Sequence, residues 1–220
     1  MRVVIAGGHG KIALRLERLL AARGDRAVGI VRNPDHVGDV RSAGGEPVVL
    51  DLEATTPADL ASHVAGADAV VFAAGAGPGS GAARKETVDH AAAVLLADAS
   101  ELAGTRRYLM VSSIGADDGP KPHHDQVFAA YIRAKAAADD EIRGRDLDWT
   151  ILRPGGLTDD PGSGRVALAP DVQRGRVSRD DVAAVLVALL DRPATAGLSL
   201  DLVAGDTPID EAVAAAVTPR

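Results

Sequence analysis

This chain predicts an α/β fold with one doubly wound parallel sheet and helices on both faces, and three observations predict it. β-branched runs alternate with helical periodicities to near residue 200. The first run goes straight into a glycine turn and a helix, Arg2-Val3-Val4-Ile5-Ala6-Gly7-Gly8-His9-Gly10-Lys11-Ile12-Ala13. The Gly- and Pro-rich stretches at 75–81, 115–122 and 154–164 follow the fourth, fifth and sixth predicted strands. Such alternation implies right-handed βαβ crossovers. Ligands of open α/β sheets bind at the carboxyl ends of the strands, so these three loops ring one crevice.

The elements follow in order. Residues 3–6 read as the first strand and 11–23 as the first helix, with Ile12, Leu16, Leu19 and Leu20 on its apolar side. A second strand at 27–31 precedes a short helix at 34–43, and a third at 48–50 precedes a helix at 57–64. Residues 68–73 form a continuous apolar run, as in a strand buried on both faces. One long helix is expected over 84–103, then a fifth strand at 107–112 and a helix at 126–143. A sixth strand at 149–153 is followed by a helix at 178–191 with a Ser-Arg-Asp-Asp start. A last strand at 198–203 and a closing helix at 208–217 complete the chain. No linker, repeat or low-complexity tract divides residues 1–220, which read as one domain whose substrate side is a small C-terminal portion at about 155–220.

Composition narrows the function. A net charge of −7 argues against a general nucleic-acid or membrane-surface binder, since either needs an excess of Lys and Arg. With no cysteine there is neither a disulfide framework nor thiolate chemistry. No apolar stretch approaches bilayer length and the chain starts in a strand, so the expected setting is cytoplasmic. No cluster has metal-ligand spacing; His123 and His124 lie in a Pro-flanked loop and read as a lid or a solvated loop. The expected partner is a small-molecule substrate, and a monomer or a homodimer is compatible with the pattern.

The opening turn is built for a dinucleotide. Gly7 and Gly10 let the backbone approach a pyrophosphate, Ala13 lets the helix pack closely, and the helix start at Lys11 and Ile12 offers N–H groups to phosphate oxygens. His9 either adds a phosphate donor or is a spacer. The residue meeting the adenosine ribose is expected about 20 residues further on, at the end of the second strand. Arg32 stands there instead of an acid, which favours the 2′-phosphate of NADP over NAD; a solvated arginine beside Asp35 is the alternative. Asp51, with Leu52, ends the third strand as an adenine acceptor or a simple turn residue, and Ala73, Ala74 and Gly75 leave room for the middle of the cofactor.

The reaction end is read from two segments. Ser112 and Ser113 end the fifth strand, where a hydroxyl can bond a substrate oxygen. Tyr131 and Lys135 are spaced to share one helix face. There the lysine can bond the nicotinamide ribose and favour a phenolate, which suits the tyrosine to acid–base work on a carbonyl/alcohol couple. Trp149 reads as core or sheet-edge packing, the run Asp139-Asp140-Glu141 as a solvated helix face, and Arg153 as a partner of neighbouring strand ends.

With these motifs in place, the chain resembles the short-chain dehydrogenase/reductase superfamily over essentially its whole length. It is closest to the atypical NAD(P)H-binding members, NmrA-like and biliverdin/flavin-reductase-like, often labelled epimerase/dehydratase-like. Gly7-Gly8-His9-Gly10-Lys11-Ile12-Ala13, Val111-Ser112-Ser113 and the Tyr131/Lys135 pair match their motifs. The most specific match is Leu147-Asp148-Trp149-Thr150-Ile151-Leu152-Arg153-Pro154-Gly155-Gly156-Leu157-Thr158-Asp159. The segment Val177-Ser178-Arg179-Asp180-Asp181-Val182-Ala183 is similar too. The resemblance implies a Rossmann-type domain in which Ser113 polarises a carbonyl, with Ser112 as its rival. Tyr131 would transfer the proton, Lys135 would hold the ribose, and the loop of Pro154, Gly155, Gly156 and Leu157 would close over the nicotinamide. It implies an NADP-dependent oxidoreductase acting on a carbonyl, quinone or flavin-like acceptor. The alternatives are an NADPH/NADP sensor without turnover and a nucleotide-sugar epimerase or dehydratase, whose larger C-terminal lobe this sequence lacks.

Overall fold

The structure is a computed structural model that describes residues 1–77 and 79–217; Pro78 of the 75–81 loop and the final residues 218–220 lie outside the described set. The first half follows the predicted alternation. Strands β1 (Arg2–Ala6), β2 (Arg26–Val31), β3 (Glu46–Val49) and β4 (Ala69–Phe72) alternate with helices α1 (Lys11–Ala22), α2 (Val37–Ser42) and α3 (Pro57–Val64). A single 3-10 turn, Pro34–His36, leads into α2. After β4 come α4 (Gly81–Arg84), a π-helical stretch (Lys85–Ala91) and α5 (Ala92–Ala103).

The second half contains β5 (Arg107–Val111), α6 (Gln126–Arg143), β6 (Asp148–Pro154), β7 (Gly156–Thr158), β8 (Arg165–Ala169) and β9 (Arg176–Ser178). It closes with α7 (Arg179–Leu190), β10 (Leu198–Ala204), β11 (Thr207–Pro208) and α8 (Ile209–Ala216). Among the described residues nine strands form the main sheet in the order β11-β8-β10-β6-β5-β4-β1-β2-β3, and β7 pairs with β9 in a small second sheet. The central pairings are parallel, so this is a Rossmann-like α/β fold.

Alternation along β1 divides the core into two layers. Val3 and Ile5 face Leu16 and Leu20 of α1 and Leu186 of α7. Val4 and Ala6 face the other way, towards Leu60 of α3, Leu96 of α5 and Ile142 of α6. Every residue of β4 is buried, as its unbroken apolar run demands. Trp149 is half-buried against the second layer.

Three expectations are corrected. The helix over 84–103 is not continuous, because the π-helical stretch interrupts it. A π turn takes up an extra residue while the apolar residues on either side still face the core, so the pattern reads as one helix. The sheet is not wholly parallel: β8 runs antiparallel to β10 inside a segment read as loop. Its signal was present in Arg165-Val166-Ala167-Leu168-Ala169, where Val166 is fully buried. Finally, Asp139 is not on a solvated face. It is completely buried, while its neighbours Asp140 and Glu141 are exposed.

Candidate cofactor and active site

The glycine turn is shaped by contacts that exclude side chains. Gly7 has φ +82°, and a Cβ there would come within 2.5 Å of the Ala74 Cα. A Cβ on Gly8 would come within 2.6 Å of the Gly29 Cα in β2. Gly10 caps α1 without a side-chain hydrogen bond. The first-turn N–H groups of a twelve-residue helix are therefore left to a ligand, and the helix dipole selects an anion. Behind the turn, α1 carries Glu17, fully buried, with neither carboxyl oxygen hydrogen-bonded among the described residues. Burial pushes this carboxyl up to about 8.

A cleft of about 1070 Å3 runs from this turn along the carboxyl ends of the strands. It brings together Gly7, His9, Gly10, Lys11, Ile12 and Arg32 with Asp51, Leu52, Ala73, Ala74 and Gly75. Ser112, Tyr131, Lys135 and Leu157 line it as well. Ser113, Pro154, Gly155 and Gly156 do not.

At one end, Arg32 pairs with Glu53 at 3.0 Å, not with Asp35. Arg84 and Thr87 also donate to Glu53, each at 2.6 Å, and with Arg32 they hold its carboxyl below the ordinary range. Asp51 accepts the Glu53 N–H at 3.0 Å, which is a turn contact, while still lining the cleft. His9 lies 2.7 Å from an Asp39 oxygen and stacks on His36 with ring centroids 3.5 Å apart. Glu53 and His36 went unread because strand-end spacing points only to Arg32.

At the other end, Tyr131, Lys135 and Asp139 follow one another at four-residue steps on one face of α6. The Lys135 ammonium donates to the Val111 carbonyl at 3.1 Å and stands 3.5 Å from Asp89. Asp89, from the π-helical stretch, also accepts the Ala76 N–H at 3.2 Å. The Tyr131 ring lies near two ammoniums, 5.5 Å from Lys85 and 6.0 Å from Lys135.

Ser112, not Ser113, is the serine on the cleft. Its N–H still bonds the Leu152 carbonyl of β6 at 2.8 Å, so the strand register continues through it. The chain turns at Ser113, whose carbonyl accepts the Ala116 N–H. The Ser112 hydroxyl is buried beside Asp139 without an ordinary hydrogen bond among the described residues. Burial raises the Asp139 carboxyl, and the neighbouring hydroxyl and Arg153 oppose that rise. Arg153 does not bond neighbouring strand ends with its side chain. It reaches Asp139 at 2.7 Å and Asp117 at 2.6 Å, which makes a charge cluster under the site.

The residues 154–156 pack rather than line. The Pro154 carbonyl accepts the Ile114 N–H at 3.0 Å, and a Cβ on Gly155 would come within 2.4 Å of the Gly175 carbonyl oxygen. Beyond them, Leu157 reaches the cleft, and Asp159 pairs with Lys11 at 2.6 Å and Arg179 at 3.0 Å. This ties the loop to the start of α1. His124 and His123 form a ring pair in an exposed loop. Among the described residues no group of three or more His, Cys, Asp or Glu is placed to hold a metal. No helix among them is long and apolar enough to cross a membrane.

Comparison with known proteins agrees with this geometry. Residues 7–193 match the model of an NAD(P)H-binding family. The uncharacterized sugar epimerase YhfK of Bacillus subtilis is 36% identical over 214 residues, which cover 97% of this chain and 99% of the relative. A solved candidate NAD-dependent epimerase/dehydratase from Bacillus halodurans superposes with a TM-score of 0.88 at 36% identity, over 98% of this chain and 99% of that one. The oxidoreductase ylbE from Lactococcus lactis gives a TM-score of 0.86 at 26% identity, over 98% and 96%.

Proposed function

This chain belongs to the NAD(P)H-binding family, and on that premise we propose that it is an NADP-dependent oxidoreductase that reduces a carbonyl, quinone or flavin-like acceptor. The carrying observation is one cleft that joins an uncapped, glycine-lined helix start to a tyrosine near two buried ammoniums. When bound, the nicotinamide cofactor supplies hydride. The N–H groups at Lys11 and Ile12 hold its pyrophosphate, while the Gly10 N–H closes the turn on the Gly7 carbonyl at 2.8 Å. Lys135 donates to the nicotinamide ribose and stays fixed by Val111 and Asp89. Tyr131 delivers the proton to the acceptor oxygen, and Ser112 lines the cleft with its hydroxyl buried beside Asp139. The Lys85 and Lys135 ammoniums stand 5.5 Å and 6.0 Å from the Tyr131 ring.

The preference for NADP rests on Arg32, whose guanidinium suits a 2′-phosphate. Glu53 already pairs with it, so the gain over NADH is expected to be moderate, about 10-fold for one charge-assisted contact. Titration of the purified protein with NADPH and NADH, beside Arg32→Ala, tests this. Equal affinities, or a preference untouched in the variant, would remove the NADP assignment; absence of binding would remove the oxidoreductase.

The sugar-epimerase label of the Bacillus subtilis relative favours a second reading. An epimerase keeps its cofactor through the cycle, so nucleotide that survives purification, with no net NADPH oxidation on any acceptor, would favour it.

A further inference from the structure

Among the described residues, three buried ionisable side chains line the reaction end of the cleft: Lys85 (7% exposed), Asp89 (1%) and Lys135 (3%). Asp89 faces Lys135. Lys85 is different. Its ammonium donates to the Gly77 carbonyl at 2.8 Å, and among the described residues it forms no ion pair. A carbonyl is a dipole and not a counter-ion, so this burial is only partly compensated. The neighbouring cation is matched, since Arg84 pairs with Glu53. Asp125 also lines the cleft, but it is exposed, and its carboxylate caps α6 through the Phe128 N–H. Two buried ammoniums thus share one buried carboxylate on the cleft wall around Tyr131, while Asp139, behind the wall, is paired with Arg153.

We propose that Lys85 is the receptor for an anionic group of the substrate, so that the acceptor is a carbonyl compound carrying a carboxylate or a phosphate. An ammonium has three donors, and one is spent on Gly77. The others would serve ligand oxygens in the cleft, and the charge of the ligand would complete the balance on its wall. With the ammonium 5.5 Å from the Tyr131 ring, the anionic group lies within a few bonds of the carbonyl. This rests on Tyr131 as the proton donor. The same chemistry could instead meet the cofactor diphosphate, which the experiment separates.

The test is calorimetric titration of the NADP-loaded protein with oxalate and with inorganic phosphate, in wild type, Lys85→Met and Lys85→Arg. Methionine keeps the apolar stem and removes the charge. The expected result is that at least one anion binds the wild type, weakens tenfold or more in Lys85→Met and is largely restored in Lys85→Arg. NADPH affinity, measured in parallel, stays unchanged and shows that the variants are folded. If neither anion binds the wild type, or Lys85→Met binds as well as wild type, the inference is wrong. Loss of NADPH affinity in Lys85→Met would assign Lys85 to the cofactor and overturn it too. If NADPH binds and only neutral carbonyls are reduced, the oxidoreductase survives while the anion receptor does not.

Discussion

At the glycine turn the cleft wall is backbone; at Tyr131 it is buried side-chain charge. The first end lies within residues 7–13 and is held by contacts so close that no side chain fits, such as Gly8 against Gly29. The second end draws Lys85, Asp89, Ser112, Tyr131 and Asp139 from separate elements and fixes them by charge pairs and carbonyls. A diphosphate has the same shape in every cofactor molecule, and N–H groups with a helix dipole suffice to hold it. Proton transfer needs particular groups with particular charges, and those cannot come from backbone. The lesson is that tolerance to substitution should differ in kind at the two ends: steric at one, electrostatic at the other.

The sharpest way to break that contrast is Gly8→Val. With the Cβ 2.6 Å from the Gly29 Cα, the turn must move away from β2. NADPH binding should be lost in a fluorescence titration, and a melt should show destabilisation of about 3 kcal/mol or more. At the other end Tyr131→Phe should leave NADPH affinity nearly intact and lower turnover by about 10²–10⁴. Full activity would mean that the acceptor needs no acid, as a flavin would.

Asp139→Ala tests whether the charge cluster is structural as well. It leaves Arg153 buried with only Asp117, and breaking such a pair costs about 3 kcal/mol by urea unfolding. The effect of Glu17, on the backbone-built side, depends on pH and is smallest in acid. Its carboxyl sits near 8 in the folded chain against an ordinary 4.5. The native state therefore keeps a proton that the unfolded state releases between those values, and stability falls as pH rises through that window. Glu17→Gln should remove the slope, gaining about 4 kcal/mol over wild type at pH 8 and less than about 1 kcal/mol at pH 5. Parallel melting curves for the two proteins at both pH values would refute it.

The steric end was legible in the sequence because its constraints are local. A β-branched run, glycines and an apolar periodicity define β1, the turn and α1 without reference to distant residues. Tyr131 and Lys135 were legible for the same reason, since helix spacing alone puts them on one face. Ser112 was not separable from Ser113, because the register is set by Leu152 on another strand. Asp139 is two turns beyond Tyr131 on that same face, but its run of acids hid it. Lys85 and Asp89 were hidden further, since their inward turn depends on a π-helical stretch that leaves no mark on the hydrophobic pattern. β8 was missed because its alternation spans only five residues between loops.

That stretch has a genetic consequence. A π turn is an α-helix with one residue inserted. Deleting a single residue between 85 and 91 would let α geometry run through, with α5 still docked against α3. The helical residues just before the deletion, Gly81–Arg84 with Lys85, would then swing by about 100°, the angle of one helical residue. Lys85 would leave the cleft while residues 7–13 stayed where they are. One codon gained or lost would thus exchange the substrate end for another and leave the cofactor end untouched.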